Sequence, residues 1–474
     1  MAFRHGVYKS EVPTSLLSPA QVDGGLPVIV GTAPVFIGDK TCVNKPVLCY
    51  TYQEAIENFG FSRSWENWTL SEFIYSQFAL YGMGPCVLIN VFDPGKHKEK
   101  LPLQEFAVQE GAINLGQNII EIEFETGKNY SKNTHYFLEY DELGDLHITF
   151  AGELASLTSI KMALTKAKPE NVTAYDIIGG VTSDGVNTGL ELINEVYPKF
   201  GLIPGIIGAP GYSENPTVAA VMRAKASNIN GIFSCISVVD VPSSVKKYTD
   251  VPAWKNDNNY VSTREIACWP KVKLGDDVYH LSTQLIGLMN SVDHENDDIP
   301  YASPSNHLLQ INACVNEDDD EINLGLEQAN YLNSQGIVTA LNFAGGWKAW
   351  GNRLGSYPSN TDPKDNFIPV RRMFDYVGNV FILTFWQKID APVTVRLIRT
   401  IIDSFNMYLN GLTSREIILG GRIEFNESEN VLTDLMNGEL KFHVYLTPPV
   451  PAEVIEAILE FDPDYLSELF NAMV

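Results

Sequence analysis

Apolar residues in this chain occur mainly in short runs that have the length of buried strands. Such runs lie at residues 28–31, 86–92 and 205–208, and each ends at a glycine or runs into a turn. Between them the spacing of apolar residues becomes helical, as in residues 70–81, where every third or fourth residue is apolar. Strands that alternate with helices in this order predict a doubly wound α/β core.

Several local signals add predicted elements to this core. Residues 176–180 and 231–235 are short apolar runs beside glycines, and we interpret both as strands. Thr69 and Glu72 have the spacing of a capping box, which predicts a helix start at Thr69. Asn215 stands before a proline and predicts the N-terminal cap of another helix.

Residues 98–150 follow a different pattern. Ile120, Ile122 and Phe124 alternate with glutamates, which is typical of antiparallel strands with one solvated face. Ten acidic residues and three lysines lie between residues 99 and 145. The pattern predicts an inserted all-β domain on the outside of the core.

Both ends of the chain are predicted to be arms without a core of their own. Near the start, a strand-like run stops at Pro13, and near the end apolar residues alternate with more polar ones, although a short helix is the alternative there. Isolated strands with exposed edges can pair with a sheet in a neighbouring chain. The candidate pairing residues are Gly6, Val7, Tyr8 and Glu11 in the first arm and Ile455, Ala457, Leu459 and Phe461 in the second.

These patterns together predict a multidomain α/β protein, because its 474 residues exceed one ordinary core. A C-terminal α+β region is predicted from a long helix near residues 394–409 and alternating apolar residues after it. The predicted segments are an extended arm at 1–20, the first part of the core at 21–97, the inserted β domain at 98–150, the second part of the core at 151–345, the α+β domain at 346–452 and the C-terminal arm at 453–474.

Composition narrows the functional classes. The net charge of −25 argues against a nucleic-acid partner, because phosphate backbones require a basic surface. No apolar run reaches the roughly 18 residues that cross a bilayer, and the start lacks the apolar centre of a signal peptide. The sequence therefore predicts a protein that stays in the cytoplasm where it is made and has no direct membrane contact.

The residues that usually carry catalysis or bind a cofactor do not form a recognised motif in this sequence. Residues 208–211 join a strand to a helix but lack the Gly-Lys-Ser/Thr ending of a phosphate loop. No Gly-x-Ser-x-Gly elbow and no metal-ligand spacing occurs, and the six cysteines are predicted to be free buried thiols. We predict no catalytic, cofactor-binding or metal-binding residues. A doubly wound nucleotide-binding or hydrolytic enzyme remains the alternative.

Ordered motifs along most of the chain resemble the contractile tail sheath family. Residues 5–11 (His-Gly-Val-Tyr-Lys-Ser-Glu) are similar to its opening, and residues 350–353 (Trp-Gly-Asn-Arg) to a later block. Val370-Arg371-Arg372, Gly420-Gly421 and residues 451–455 (Pro-Ala-Glu-Val-Ile) are similar to the remaining blocks. One departure is Leu354, where the family pattern has threonine, and residues 98–150 carry no resemblance.

The resemblance implies a structural subunit of a contractile tail. Such subunits stack as hexameric rings around an inner tube, and contraction drives the tube through a cell envelope. The implied partners are other copies of the chain, the tail tube protein, and the baseplate and tail terminator proteins, without a cofactor. The implied place is a virion tail that is assembled in the host bacterial cytoplasm, whether of a phage, a prophage or a phage-tail-like particle.

The resemblance also implies that the C-terminal part lies near the tube. Residues 346–422 contain ten Lys or Arg and six Asp or Glu, which makes this segment basic in an acidic chain. Arg353, Arg371 and Arg372 are the candidate tube-facing residues. The alternative is that the three arginines only stabilise the fold.

Overall fold

The structure is a computed structural model that describes residues 19–20, 22, 24–125 and 130–466. The predictions for Gly6, Val7, Tyr8 and Glu11 in the N-terminal arm lie outside the described residues.

The main sheet contains eight strands, and its six inner strands are parallel. Each of the two edge strands is antiparallel to its neighbour. The inner strands are almost completely buried because helices cover both faces, which explains their continuous apolar runs. In spatial order the strands are Pro46–Cys49, Cys86–Asn90, Pro27–Gly31, Ile206–Gly208, Ile236–Asp240, Glu265–Cys268, Ile337–Asn342 and Trp347–Trp350.

Helices connect these strands and confirm the mixed α/β character. Asn215 caps its helix as predicted, since its side chain accepts a hydrogen bond from the Thr217 backbone at 2.9 Å. The α-helices are Tyr52–Phe59, Thr69–Ile74 (continued by a π-helical turn at Tyr75–Leu80), Ala174–Ile178, Ile193–Phe200, Pro216–Ser227, Val251–Asp257, Leu281–Glu295, Leu326–Asn333, Pro363–Asn366, Ile368–Phe385, Val395–Ser414 and Leu432–Met436. Short 3₁₀ turns lie at Gly152–Ser156, Pro169–Asn171, Gly189–Leu192, Trp386–Lys388 and Glu427–Glu429.

The predicted strand at residues 176–180 is wrong. This segment lies mostly in the helix Ala174–Ile178, because Asp176 accepts hydrogen bonds from the backbone and hydroxyl of Thr173 and so forms a capping box. Gly179 then ends the helix with a φ of +65°, a conformation that favours glycine. A local capping interaction therefore decides the structure of a run whose apolar pattern is ambiguous.

Two other local predictions also differ from the structure. The strand predicted at residues 231–235 begins later, at Ile236, because Asn230 and Gly231 form a turn with positive φ. The capping box of Thr69 with Glu72 is absent, since both side chains have partners in other parts of the core. The Thr69 hydroxyl accepts from the Thr32 backbone at 3.2 Å instead.

The inserted β unit extends beyond the predicted boundary at residue 150. Its strand Ser159–Ala167 pairs with three strands from the preceding segment, so the unit continues to residue 167. A backbone hydrogen bond from Lys168 to His97 at 2.9 Å brings its two ends together. The other strands are Lys98–Lys100, Gln104–Ala107 and Ile119–Phe124 around that strand, and Ala112–Gln117, Asp145–Phe150 and Tyr136–Tyr140 in a second sheet. We call residues 98–167 the insertion.

The C-terminal unit, residues 368–447, has its own apolar cluster. The helices Ile368–Phe385 and Val395–Ser414 pack together there, with Phe381 and Phe405 in edge-to-face contact at 5.1 Å. Thr394 caps the long predicted helix through the backbone of Leu397 at 3.2 Å. A two-stranded sheet of Gly420–Glu424 and His443–Thr447 completes the unit. Two small sheets lie elsewhere, one of Gly180–Val181 with Asn187–Thr188 and one of Asp277–Tyr279, Lys271–Leu274 and Ala313–Val315.

Candidate assembly sites

Arg353 lies just beyond the edge strand Trp347–Trp350 of the main sheet. Its guanidinium group is 4.5 Å from the ring centre of Tyr357 and 3.9 Å from that of Phe367. Its Nη1 also donates to Asn366 Oδ1 at 2.9 Å. Planar stacking on aromatic rings is a contact that arginine makes and that lysine does not reproduce. These neighbours hold the two remaining donor groups of Arg353 in one direction.

Glu453 accepts those donors. Arg353 Nε donates to Glu453 Oε1 at 2.9 Å, and Nη2 donates to Glu453 Oε2. The two side chains are 17% and 33% exposed, so the ion pair lies at the rim of the molecule. A two-pronged contact of this kind fixes geometry as well as charge. It joins the body of the protein to the first residue of the predicted C-terminal arm.

Arg372 forms an ion pair inside the molecule. Its Nη1 donates to Asp293 Oδ1 at 2.9 Å, Nη2 contacts Asp293 Oδ2, and both side chains are 3% exposed. Nη2 also donates to the Gly24 carbonyl at 3.2 Å. Burial raises the pKa of Asp293, although the adjacent guanidinium opposes the shift. Arg372 therefore ties the helix Ile368–Phe385 to the main core.

Arg371 also points inward. It donates to Asp365 at 3.0 Å and to Asp375 at 2.9 Å. Asp375 accepts further hydrogen bonds from Arg264 at 2.8 Å and from Ser234 at 2.9 Å. The helix is thus linked to the core by a network in which every charge has an opposite partner.

The burial of Arg371 and Arg372 favours the structural role that the sequence had left open for them. A side chain that is used inside its own fold is not available to face a tube. Arg396 and Arg399, on the solvent side of the helix Val395–Ser414, are exposed. The other exposed cations of the C-terminal unit, Arg415, Arg422 and Lys441, each form an ion pair within the described residues. The spacing of apolar residues in the sequence of this helix indicates which side faces solvent, and so indicates that Arg396 and Arg399 are exposed. No such pattern in the sequence shows that Arg371 and Arg372 are buried.

The C-terminal arm is exposed along its described length. Residues 448–462 contain neither helix nor strand, and Ile455, Leu459 and Phe461 are 90%, 93% and 78% exposed. Ala457 is exposed as well. An exposed row of apolar side chains outside any helix or strand is an unpaired surface, and such surfaces commonly mark contacts with other proteins.

The carboxyl ends of the parallel strands, where many α/β proteins bind ligands, hold an internal polar network. Asp240 accepts the Ser282 backbone N–H at 3.0 Å and so caps the helix Leu281–Glu295 with a carboxylate. Glu72 accepts from the backbone of His280 at 2.7 Å and contacts its Nδ1 at 2.8 Å. Burial lowers the pKa of His280, but the Glu72 carboxylate outweighs this effect and the net shift is upward. The helix terminus that could bind an anion is already neutralised by the chain itself.

All six cysteines are buried and free, as predicted. Burial raises the pKa of Cys49 to about 12 and that of Cys86 and Cys235 well above the ordinary value. Since the thiolate is the reactive form, these side chains are inert packing groups. In the part of the chain that the structure describes, no group of three His, Cys, Asp or Glu side chains is arranged for a metal ion. No helix there is long and apolar enough to cross a membrane.

No family model matches the chain. It is, however, 26% identical to the tail sheath protein of Burkholderia phage BcepMu over 480 aligned residues, which cover 98% of each protein. The chain is therefore similar over nearly its whole length to a contractile tail sheath protein. The tail sheath protein of Escherichia phage P2 is 25% identical over 309 residues, covering 64% of this chain and 74% of that protein. A putative prophage major tail sheath protein of Pseudomonas aeruginosa is 24% identical over 67% of the chain.

Solved structures from contractile injection systems share the fold of this chain. The PVC sheath complex of an extracellular contractile injection system, in its contracted state, matches with a TM-score of 0.60 at 14% identity, covering 98% of this chain and 99% of that one. The baseplate of the anti-feeding prophage contains a chain that matches with a TM-score of 0.59 at 15% identity, covering 98% and 100%. The curated relatives are structural proteins, which favours a structural role over the enzyme alternative.

Proposed function

We propose that this sheath protein polymerises as hexameric rings around an inner tube and contracts to drive the tube through a cell envelope. Its partners are other copies of itself, the tail tube protein, and the baseplate and tail terminator proteins. It contacts no nucleic acid and no membrane directly, and it uses no cofactor. It is assembled in the host bacterial cytoplasm and works in the tail of a virion or tail-like particle.

One observation carries this proposal. The match to the BcepMu protein covers 98% of both chains, so it extends beyond the core into both arms. A partial match would have supported only a shared domain. The fold match to a contracted sheath complex is also nearly complete, at 98% of this chain.

The domain arrangement that we propose follows three of the apolar clusters. The main sheet and its helices form the core, the insertion lies on the outer surface, and the C-terminal unit faces the tube. The acidic composition of residues 99–145 and the basic composition of residues 346–422 support this polarity. The two arms extend from the body and link copies by strand exchange.

The tube contact that we propose uses the exposed cations of the C-terminal unit. Arg396 and Arg399 lie one helical turn apart and have no ion-pair partner among the described residues. Arg353 is a weaker candidate because Glu453 already neutralises it. Contacts between exposed charges are modest and are screened by salt, which suits a surface that must release the tube.

Electron microscopy of the purified protein tests the function. The proposal predicts rings or striated cylinders once a tube or another nucleus is present, and mainly single subunits before that. A protein that remains monomeric with its tube and baseplate under all conditions would contradict it. Calorimetry with ATP, GTP and NAD tests the enzyme alternative, for which micromolar binding would be the decisive result.

A further inference from the structure

The side chains around Arg353 form a carboxylate-binding site that exists without the arm. Tyr357 and Phe367 enclose the guanidinium group, and Asn366 accepts one of its N–H groups. All three come from residues 353–367, which pack against the body. Ordering a free arginine side chain carries a large entropic cost. Because these neighbours already hold the Arg353 side chain in one conformation, most of that cost does not fall on the binding of a carboxylate.

Glu453, at the start of the C-terminal arm, occupies this site. Three prolines at positions 448, 449 and 451 follow the last strand, which ends at Thr447. They favour extended backbone, so the segment behaves as a stiff connector. Glu453 comes next, and Ala452 and Val454 line the same groove as Trp350.

We propose that the Arg353–Glu453 ion pair is a lock that fixes where the C-terminal arm leaves the body. The segment from Thr447 to Glu453 then acts as a strut held at both ends, and the part of the arm that is free to pair with another copy begins at Val454. This inference rests on the proposed function, in which the arm joins a neighbouring subunit.

The physical reason is the volume that the arm can explore. A strut of six residues is about 20 Å long when extended, so an arm attached only at Thr447 would sweep a wide region. The pair confines the start of the arm to one point and one direction, which raises its effective concentration at a neighbour placed along that direction. Because the pair is at the rim of the molecule, its loss leaves the core intact.

The test uses Glu453→Gln, which keeps the size of the side chain and removes its charge. Arg353→Lys is the second variant, since it keeps the charge and loses both the fork and the stacking. Glu424→Gln is the matched control, because it removes the partner of Arg422 from another exposed ion pair, at 2.7 Å in the C-terminal unit. Each protein is measured by thermal melting, by hydrogen exchange of residues 448–456 in the monomer, and by the critical concentration for cylinder formation.

We expect Glu453→Gln to melt like the wild type, to exchange faster at residues 448–456, and to raise the critical concentration about fivefold through the lower effective concentration of the arm. Arg353→Lys should behave similarly and Glu424→Gln like the wild type. Unchanged exchange and an unchanged critical concentration in Glu453→Gln would overturn the lock. If the wild type forms no cylinders, the proposed function fails, and the exchange data alone still decide whether Glu453 holds the arm.

Discussion

Arg372 and Arg353 each form a two-pronged ion pair with a carboxylate, but the two pairs differ in burial. The side chains of Arg372 and Asp293 are each 3% exposed, whereas those of Arg353 and Glu453 are 17% and 33% exposed. A buried charge depends on its partner because water cannot replace it. A rim pair costs the fold little when it opens. Arg372 and Asp293 therefore stabilise the subunit itself, whereas Arg353 and Glu453 position its arm for assembly.

The largest expected effect is the loss of assembly when an arm is deleted. Deleting residues 453–474 removes the exposed apolar row but no residue of the described core. The truncated protein should remain folded and monomeric and should form no cylinders with tubes that nucleate the wild type. Deletion of residues 1–12 should act in the same way. Full-length cylinders from either truncation would show that strand exchange is not required, and unfolding would show that the ends belong to the core.

The buried pair should dominate stability. Arg372→Met leaves Asp293 without its partner, so the free energy of unfolding should fall by about 3–5 kcal/mol. Glu453→Gln should cost about 1 kcal/mol or less. Urea titrations measure both values. The double variant Arg372→Met with Asp293→Leu should recover most of the loss, because no unpaired charge remains. A loss below about 1 kcal/mol for Arg372→Met would show that the buried pair contributes no more to stability than the rim pair.

A second buried carboxylate gives the core a pH dependence. Burial raises the pKa of Glu265 from 4.5 to about 7, although the Arg223 guanidinium opposes the shift. Because the folded state holds this proton more tightly, the stabilisation is complete below pH 4.5 and is lost as the pH rises through about 7. Relative to Glu265→Gln, the wild type should lose up to about 3 kcal/mol between pH 4.5 and 8. A difference between the two proteins that does not change with pH would contradict this assignment.

The smallest effect on assembly should follow removal of the insertion. Its ends are joined by the hydrogen bond between Lys168 and His97, so a short Gly/Ser linker can replace residues 98–167. Trp68 Nε1 would lose its acceptor Asn118 at 3.0 Å, which should cost about 1–3 kcal/mol. The remainder should still unfold cooperatively and assemble. Replacing only residues 99–150 should be more damaging, because the strand Ser159–Ala167 would lose pairing partners.

The features that could be predicted from the sequence are those that depend on neighbouring residues. The cap at Asn215 and the start of the long helix at Thr394 are examples, because the capping side chain and its partner are two or three residues apart. The run at residues 176–180 failed because its apolar pattern suits a strand and a buried helix equally. Only the capping box of Thr173 and Asp176 decides between them.

Features that depend on distant partners could not be predicted in this way. The strand Ser159–Ala167 belongs to the insertion because of strands that lie about 40 to 70 residues earlier. Arg372 is internal because Asp293, 79 residues upstream, faces it across the core. Glu453 is 100 residues from Arg353, and the sequence signal available was a lone acidic residue after three prolines. Motif order identified the family, but it did not show which arginines are exposed.

A cryo-EM reconstruction of the wild-type protein assembled around its tube tests directly whether the C-terminal arms link neighbouring subunits into rings. We expect rings of six subunits, with backbone hydrogen bonds between residues 455–461 of one copy and a sheet of a neighbouring copy. We also expect Arg353 and Glu453 to remain paired within each subunit. An assembly without rings, or one in which each C-terminal arm pairs only within its own subunit, would contradict these expectations.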